Sequence, residues 1–243
     1  MILPVLDLMH GQIVRGVAGR RDEYRPIVSK WTDSAEPRAV AEAIRTHFGF
    51  NEFYLADLDA IQEGTTALAT YQELRAMGLV LWIDAGVSST LSPGLAEILK
   101  IESFSAVVGL ETVDGSAALA QILGTTDKRR IVFSLDLKSG QPLIRASTWN
   151  ENDPWAIATQ AIDMGVESLI ILDLGRVGVG EGVGTEDLCA RVKKAYPRVR
   201  LIAGGGVRGI DDVLRLQDIG VDYVLVASAL HDGRIGRADL NRL

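Results

Sequence analysis

The sequence predicts a single (β/α)8 TIM barrel of the α/β class that covers residues 1–243. Short apolar runs alternate with amphipathic stretches along the whole chain, as strands and helices do in such a barrel. The length of 243 residues is close to the roughly 250 residues that this fold usually needs. Motifs of the first half recur in the same order in the second half, which indicates a barrel built from two half-barrel repeats.

Eight apolar runs are the candidate strands. They are continuous rather than alternating in polarity, which is typical of strands buried on both faces of a parallel sheet. In chain order the runs are Ile2–Leu6, Glu52–Ala56, Val80–Ile83, Ala106–Val108, Ile131–Leu135, Ser168–Leu172, Arg200–Ala203 and Tyr223–Val226. A doubly wound open sheet contains strands of the same kind and is the alternative architecture.

The stretches between these runs carry helix start and stop signals. A capping side chain stands ahead of a proline at three places, as at a helix N-terminus. These places are Ser34 with Pro37, Ser92 with Pro93, and Asp153 with Pro154. Several helices are expected to end at a glycine, because glycine readily takes the left-handed conformation of a C-cap. These glycines are Gly49, Gly78, Gly165 and Gly220.

The repeat is clearest around two aspartates, which each close a strand candidate. Leu6-Asp7-Leu8 precedes Gly11-Gln12 and Arg15, just as Leu135-Asp136-Leu137 precedes Gly140-Gln141 and Arg145. Three further pairs of segments match in the same order: Phe53–Leu58 with Leu169–Leu174, Ile83–Val87 with Ala203–Val207, and Val107–Gly109 with Leu225–Ala227. The half-barrels are therefore predicted at about residues 1–125 and 126–243, with the two aspartates facing each other across one mouth.

The composition argues against several classes of protein. A formal net charge of -7 without a Lys/Arg cluster argues against nucleic acid or an anionic membrane as a partner. Cys189 is the one cysteine, so no internal disulfide is possible, which suits a reducing compartment. Met1–Leu6 has no basic segment, and no apolar run reaches the ~18 residues of a membrane span. We expect a cytoplasmic protein that is a monomer or a small homo-oligomer.

Acidic residues collect where the predicted strands end. The C-terminal ends of barrel strands carry the chemistry of this fold, so these side chains are expected to line its mouth. They are Asp7, Asp57, Asp84, Glu111, Asp136 and Asp173. Mutual repulsion and partial desolvation should separate their pKa values, which is how two carboxylates come to serve as acid and base. A metal site has no characteristic spacing here, and we expect none.

A phosphate site is predicted after the seventh and eighth strands. Gly204-Gly205-Gly206 follows a strand and leads into a helix, so backbone N–H groups can converge on an anion. The eighth strand is followed by Ala227-Ser228, whose small side chains permit close approach. Gly178 lies in a glycine-rich sixth loop that is a candidate lid. The predicted phosphate-binding residues are Gly178, Gly205, Gly206, Ala227 and Ser228. The expected partner is a small phosphorylated substrate.

With these motifs placed, the chain resembles the HisA/HisF family of histidine biosynthesis along nearly its whole length. The resemblance is closer to HisA than to HisF. Three segments carry it: the opening Ile2–Leu8 with Val14-Arg15, then Ala146–Trp149, and then Gly204–Val207 with Ile210–Asp212. The resemblance implies an Amadori-type aldose–ketose isomerisation of a phosphorylated substrate without cofactor. It also implies that Asp7 is the general base, Asp136 the general acid, and Trp149 a stacking partner of the substrate.

The chain departs from the family pattern in the first half. HisA carries a second, glycine-rich phosphate site on its third and fourth loops, where this chain has Asp84 before Gly86, and Glu111. A phosphate beside unscreened carboxylates is repelled, so we predict that this half does not bind phosphate. Asp84, Gly86 and Glu111 are then candidate substrate-binding residues, together with His10, Arg15, Asp57, Trp149 and Asp173. The arginines of the long first loop, Arg20, Arg21 and Arg25, are candidate contacts of an anionic substrate.

Three functions remain open on the sequence. The first is a HisA-like sugar-phosphate isomerase. The second is a HisA-like paralogue outside histidine biosynthesis that acts on a ligand with one phosphate and a polar or cationic end, in one-carbon, methanopterin-linked metabolism. The third is a non-catalytic barrel that binds a phosphorylated ligand. Asp7 and Asp136 argue against the third, and the changed loops favour a paralogue.

Overall fold

A computed structural model describes residues 1–145, 149 and 151–243. Its strands are β1 (Ile2–Met9), β2 (Gln12–Arg15), β3 (Arg25–Pro26), β4 (Glu52–Asp57), β5 (Val80–Asp84), β6 (Phe104–Gly109), β7 (Ile131–Lys138), β8 (Gln141–Pro142), β9 (Ser168–Asp173), β10 (Arg200–Gly204) and β11 (Tyr223–Val226). Its α-helices are α1 (Pro37–Phe48), α2 (Leu58–Glu63), α3 (Leu68–Ala76), α4 (Pro93–Leu99), α5 (Gly115–Thr125), α6 (Pro154–Asp163), α7 (Glu186–Ala195), α8 (Ile210–Ile219) and α9 (Ser228–His231).

Parallel strands form a closed ring in the order β1-β4-β5-β6-β7-β9-β10-β11. The ring closes because β11 pairs with β1, where Leu3 lies opposite Leu225. This closure confirms the predicted (β/α)8 barrel and excludes the open sheet. All eight predicted strands are present at their expected positions.

Two short hairpins on the barrel strands were not predicted. β2 runs antiparallel to β1, and β8 runs antiparallel to β7. The turn of the first is His10-Gly11, with φ of 51° and 74°, and the turn of the second is Ser139-Gly140, with φ of 52° and 78°. Positive φ at both central residues matches the twist of a two-residue hairpin. The hairpins occupy equivalent places in the two proposed halves.

Helix starts follow the sequence signals only in part. Asp153 caps α6, because its carboxylate accepts the N–H of Ala156 at 3.0 Å. The residue before α1 is Glu36, and Ser34 instead accepts the Glu36 N–H at 3.1 Å. Ser92 stands at the start of α4 but uses its hydroxyl to hold the preceding loop. Serine side chains bond backbone locally outside helices as readily as at caps.

The core has an outer and an inner layer. The outer layer packs the helices on the sheet, for example through Val40, Ile44 and Phe48 of α1. The inner layer fills the barrel and takes one side chain from each strand of the ring, namely Leu3, Tyr54, Trp82, Val107, Val132, Ile170, Ile202 and Leu225. The barrel is thus filled below its mouth, at the level of these residues. No helix among the described residues combines the length and the apolarity needed to cross a membrane.

Candidate active site

A cavity of about 250 Å³ lies at the C-terminal ends of the barrel strands. Its ionisable and phenolic lining consists of Asp7, Arg21, Tyr24, Tyr54, Asp84, Glu111, Asp136 and Lys138. Apolar side chains, including Leu58, Leu143, Leu172 and Val177, complete the wall. A concave, mostly apolar site with a few convergent polar groups is the usual form of a ligand pocket.

Strand periodicity aims three of the aspartates into this cavity. Successive side chains of a strand point to opposite faces, so residues an even number apart share a face. Asp7 follows the inward-facing Leu3 on β1, Asp84 follows Trp82 on β5, and Asp136 follows Val132 on β7, always at even spacing. The alternation of side chains along each strand therefore directs both the inner-core residues and these three carboxylates toward the barrel interior.

Asp57 does not line the cavity, although it was expected at the mouth. It lies three residues after the inward-facing Tyr54 and so points to the outer face of β4. It is fully buried there and accepts the N–H groups of Ala60 and Ala67 at 3.1 and 2.8 Å, as well as the Tyr71 hydroxyl. Asp57 thus holds the start of α2 and the loop before α3.

Asp173 is turned outward for the same reason. It lies three residues after the inward-facing Ile170. Its carboxylate accepts the N–H groups of Ser139, Gly140 and Gly175 at 2.9, 2.8 and 2.9 Å. It therefore fixes the turn of the β7–β8 hairpin beside the site and lies outside the cavity lining.

Asp136 is the most enclosed of the cavity carboxylates. Its Oδ1 accepts the Ser134 hydroxyl at 2.6 Å, and its Oδ2 is buried with no hydrogen-bond partner among the described residues. Burial, and then the negative charges of Glu111 and Asp84, raise the pKa of Asp136 well above its ordinary value. This direction favours the protonated form of Asp136, which can donate a proton.

Asp7 lies across the barrel from Asp136, because β1 and β7 are four places apart in the ring of eight. Burial raises its pKa to about 7, and the nearby Arg21 guanidinium opposes the rise. Near neutral pH a large share of Asp7 is therefore ionised, while the surroundings of Asp136 favour its protonated form. A base and an acid on opposite sides of one cavity are the two groups that proton-transfer chemistry requires.

The first-half end of the cavity is acidic. A Cβ on Gly109 would lie 2.9 Å from Asp136 Oδ2 and 3.8 Å from Asp84 Oδ2, so both carboxylates face the backbone of Gly109. Tyr54 donates its hydroxyl to Asp84 Oδ2 at 3.2 Å, and Arg21 Nη2 contacts Glu111 Oε1 at 2.6 Å. Burial and the charge of Glu111 raise the pKa of Asp84 to about 7. We call Asp84, Glu111 and Asp136 the carboxylate end.

The opposite end of the cavity is lined by all five predicted phosphate-binding residues. We call Gly178, Gly205, Gly206, Ala227 and Ser228 the glycine cradle. Gly205 and Gly206 have φ of 91° and 82°, in the left-handed region. A Cβ on Gly206 would lie 2.6 Å from the Gly182 carbonyl, so glycine is required for the sixth loop to pack here. Arg234 donates to the Ser228 hydroxyl at 3.0 Å and brings positive charge beside the cradle.

Comparison with known proteins agrees with this geometry. The family model described as histidine biosynthesis protein matches residues 1–236. The chain belongs to this family.

The relatives with a stated activity are isomerases of this family. Proteins from Prosthecochloris aestuarii and Thermus thermophilus are each 29% identical to the chain, over 96% of it and over 87% and 95% of their own lengths. Their names describe an imidazole-4-carboxamide isomerase whose substrate carries two phosphoribosyl groups. An uncharacterized protein from Methanocaldococcus jannaschii is 32% identical over 96% of this chain and 93% of its own. The named relatives support a HisA-like isomerase, and the resemblance to HisA is confirmed.

Several other residues that the sequence predicted to bind substrate lie outside the cavity lining. His10 is exposed and contacts Asp59, with its ring Nδ1 3.3 Å from a carboxylate oxygen. Arg15 is bound by Asp232 through two bonds of 2.7 and 2.8 Å. Gly86 directs its N–H to Asp84 Oδ1 at 3.2 Å.

Trp149 is placed in the core rather than in the cavity. It is 5% exposed and packs on Phe133 with ring centroids 5.7 Å apart. The other residues of the motif, Ala146, Ser147 and Thr148, lie outside the described residues. A stacking role for Trp149 stays a prediction.

Three cavity residues were missed by the sequence reasoning, namely Tyr24, Tyr54 and Lys138. Tyr54 had a usable signal, because it stands two residues before Ala56 at inward parity and so carries a phenol toward the mouth. Tyr24 reaches the cavity from the first loop, and Lys138 from the end of β7. Their approach depends on loop paths that local sequence does not specify. Within the described ranges, His, Cys, Asp and Glu form no group of three or more that is suited to a metal ion.

Proposed function

We propose that this protein is an aldose–ketose isomerase that carries out an Amadori rearrangement of a phosphorylated aldosylamine, with Asp7 as general base and Asp136 as general acid. The observation that carries the proposal is the pair of carboxylates on opposite strands of one cavity, with pKa values separated by their surroundings. Family membership and the named relatives support the same reaction class.

The proposed chemistry moves only protons. Asp136 gives its proton to the ring oxygen of the sugar, which opens the ring and leaves an iminium at C1. Asp7 then removes the proton from C2, and the resulting enolamine becomes the ketose when C1 is protonated and the C2 hydroxyl loses its proton. Each acid–base contribution is typically worth about a hundredfold to ten-thousandfold in rate.

The glycine cradle is proposed to hold the phosphate of the sugar. Gly205 and Gly206 directly follow β10, and their backbone lines the cavity. Ser228 adds a hydroxyl to the same lining. A phosphate fixed here positions the sugar between β1 and β7, where the two aspartates lie. The side chain of Arg234, bonded to Ser228, adds charge that favours an anion.

Complementation of a histidine-requiring strain that lacks HisA tests the proposal in its histidine-biosynthesis form. We expect the wild type to restore growth, and Asp7→Asn and Asp136→Asn each to abolish it. The control is Glu63→Gln, an exposed carboxylate at the end of α2. Purified variants should bind phosphorylated ligands while losing turnover. Equal turnover in Asp7→Asn and wild type would overturn the assignment of the base, and a wild type that binds but never turns over would identify a non-catalytic barrel.

A second candidate is a HisA-like paralogue that uses the same acid and base on a ligand with one phosphate, outside histidine biosynthesis and in one-carbon, methanopterin-linked metabolism. The acidic first-half end of the cavity favours it, because Asp84 and Glu111 line the place where a second phosphate would be bound. Failure to rescue the histidine-requiring strain, with turnover of a monophosphorylated aldosylamine, would select this candidate over the first.

A further inference from the structure

We infer that the carboxylate end of the cavity binds a cationic, hydrogen-bond-donating group of the substrate, such as a primary ammonium, in place of a second phosphate. The inference rests on the proposed function, since it specifies what the nitrogen substituent of the aldosylamine carries. Asp84 and Glu111 are then the residues that determine specificity.

The two ends of the cavity lie on opposite sides of the barrel. The glycine cradle follows β10 and β11, and the carboxylate end follows β5 and β6, which are four places away around the ring. A ligand held by its phosphate at the cradle and reacting between Asp7 and Asp136 therefore points its remaining substituent at Asp84 and Glu111.

Several backbone N–H groups of the third and fourth loops are already engaged by protein acceptors. Gly86 donates to Asp84 Oδ1 at 3.2 Å, and Leu110 donates to the Ser134 carbonyl at 2.9 Å. The loop after Gly86 is bonded internally as well, through Ser88 and Ser89 to the Ser92 hydroxyl, Val113 to Gly109, and Asp114 to Ser88. An anion bound here would meet carboxylates rather than amide donors, and charge repulsion would oppose it.

Acceptor atoms, in contrast, are available at this end. Asp136 is 4% exposed, and its Oδ2 has no partner among the described residues. Asp84 Oδ2 likewise faces the backbone of Gly109 and receives the Tyr54 hydroxyl at 3.2 Å. Glu111 meets Arg21 through Oε1 at 2.6 Å. A buried polar oxygen without a partner is costly to a protein, and a polar ligand group beside Asp84 and Asp136 removes that cost.

Charge favours a cation over a neutral donor. Asp84 and Glu111 face this end of the cavity beside the proposed acid Asp136, and Arg21 is paired with Glu111. The repulsion among them is visible in the raised pKa of Asp84, to about 7, for which burial and then Glu111 are responsible. An ammonium placed between Asp84 and Glu111 would relieve this repulsion and form charge-assisted hydrogen bonds.

Three matched probes test the inference. They are N-substituted aminodeoxyribulose phosphates whose N-ethyl group ends in an ammonium, a hydroxyl or a phosphate, and their affinities for the full-length protein are measured by calorimetry at neutral pH. We expect the ammonium probe to bind about tenfold more tightly than the hydroxyl probe and about a hundredfold more tightly than the phosphate probe. Tightest binding of the phosphate probe, or binding of none of the three, overturns the inference.

Variants show which residues carry the preference. Asp84→Asn combined with Glu111→Gln should remove the ammonium preference, so that the ammonium and hydroxyl probes bind with similar affinity. Gly206→Val, which obstructs the glycine cradle, should weaken all three probes by a similar factor. Glu63→Gln, an exposed carboxylate on α2, is the control for loss of one negative charge. Thermal unfolding of each variant confirms that it is folded, and a retained ammonium preference in the folded double variant contradicts the inference.

The outcome is separable from that of the proposed function. If the protein prefers the ammonium probe but isomerises no aldosylamine, the proposed reaction is rejected and the inferred binding of a cationic group stands. Isomerisation with preference for the doubly phosphorylated compound would keep the reaction and reject the specificity.

Discussion

Asp7 and Asp136 occupy equivalent positions on β1 and β7, yet their charged surroundings differ. Arg21 from the first loop opposes the rise of the Asp7 pKa, whereas burial and the negative neighbours Glu111 and Asp84 both raise the pKa of Asp136. The loops, rather than the strands, therefore make the two aspartates different, which supports the proposed assignment of Asp7 as base. This assignment agrees with the roles that the resemblance implied.

The pH dependence of kcat/KM should report this difference. Because Asp7 must be ionised to act as base and its pKa is about 7, we expect kcat/KM to rise with pH through about 7. Arg21→Gln removes the cation that holds this pKa down, so the rising limb should move to higher pH. Arg20→Gln is the matched control, because Arg20 pairs with Glu23 instead, at 2.7 Å. A limb that stays in place in Arg21→Gln would contradict its assignment to Asp7.

At the scale of elements, the loops at the mouth fit together through glycines. A Cβ on Gly178 of the sixth loop would lie 2.0 Å from the Gly16 carbonyl of the first loop. Ala18 donates its N–H to the Val177 carbonyl at 2.7 Å along the same contact. The two loops therefore close over the cavity as one unit, which places Arg21 and Tyr24 at its rim.

Gly178→Ala should separate these loops. The new methyl group cannot be accommodated against Gly16, so we expect KM for the phosphorylated substrate to rise by about tenfold or more as the mouth is displaced. Gly180→Ala is the control, since Gly180 has a similar φ of 74° and nothing within 4 Å of the added Cβ. Steady-state kinetics of the two variants checks this, and equal KM values would show that backbone strain rather than the loop contact matters.

Asp57 belongs to the scaffold under the loops rather than to the chemistry. Asp57→Asn replaces one acceptor oxygen by an amide that faces backbone donors, so the free energy of unfolding should fall by about 2–4 kcal/mol. The pH dependence of kcat/KM should keep its midpoint. Urea unfolding measures the first effect, with Glu63→Gln on the same helix region as control. An unchanged stability would show that the Ala60 and Ala67 bonds contribute little.

At the scale of the whole molecule, contacts between the halves repeat as the motifs do. Arg15 of the first half binds Asp232 of the second at 2.7 Å, and Arg145 of the second lies 3.4 Å from Asp114 of the first. The arginines match each other in the sequence repeat, and Asp114-Gly115 follows Val107–Gly109 as Asp232-Gly233 follows Leu225–Ala227. Such exchanged pairs are what two half-barrel repeats would give, and the repeat itself stays a prediction.

The concentration of buried carboxylates should also make the stability of the molecule depend on pH. The pKa values of Asp7 and Asp84 are raised from 3.8 to about 7, so the folded state binds more protons than the unfolded state between about pH 4 and 7. Stability is then greatest below that window and falls as pH rises through it. Asp84→Asn should reduce the slope of the unfolding free energy by up to about 1.4 kcal/mol per pH unit.

Urea unfolding of wild type and Asp84→Asn across this range measures the effect. Glu63→Gln should leave the slope as in the wild type, because that carboxylate is exposed in the folded state. A wild-type stability that rises from pH 4 to 7 would contradict the burial of these groups in protonated form.

The sequence alone determined the barrel, its eight strands, the two aspartates on β1 and β7, and the glycines of the cradle. These features are local: an apolar run forms a strand, and the residue that ends it lies at the mouth. The family resemblance came from the same local motifs.

Only the tertiary structure decided which acids face the substrate. Asp57 and Asp84 both end a strand, but side-chain parity relative to the closed ring turns the first outward and the second inward. The Arg21–Glu111 pair joins residues that are 90 positions apart, and it exists only because the first loop folds over the barrel. Charges separated by such distances along the chain interact through space, so no local pattern can specify them.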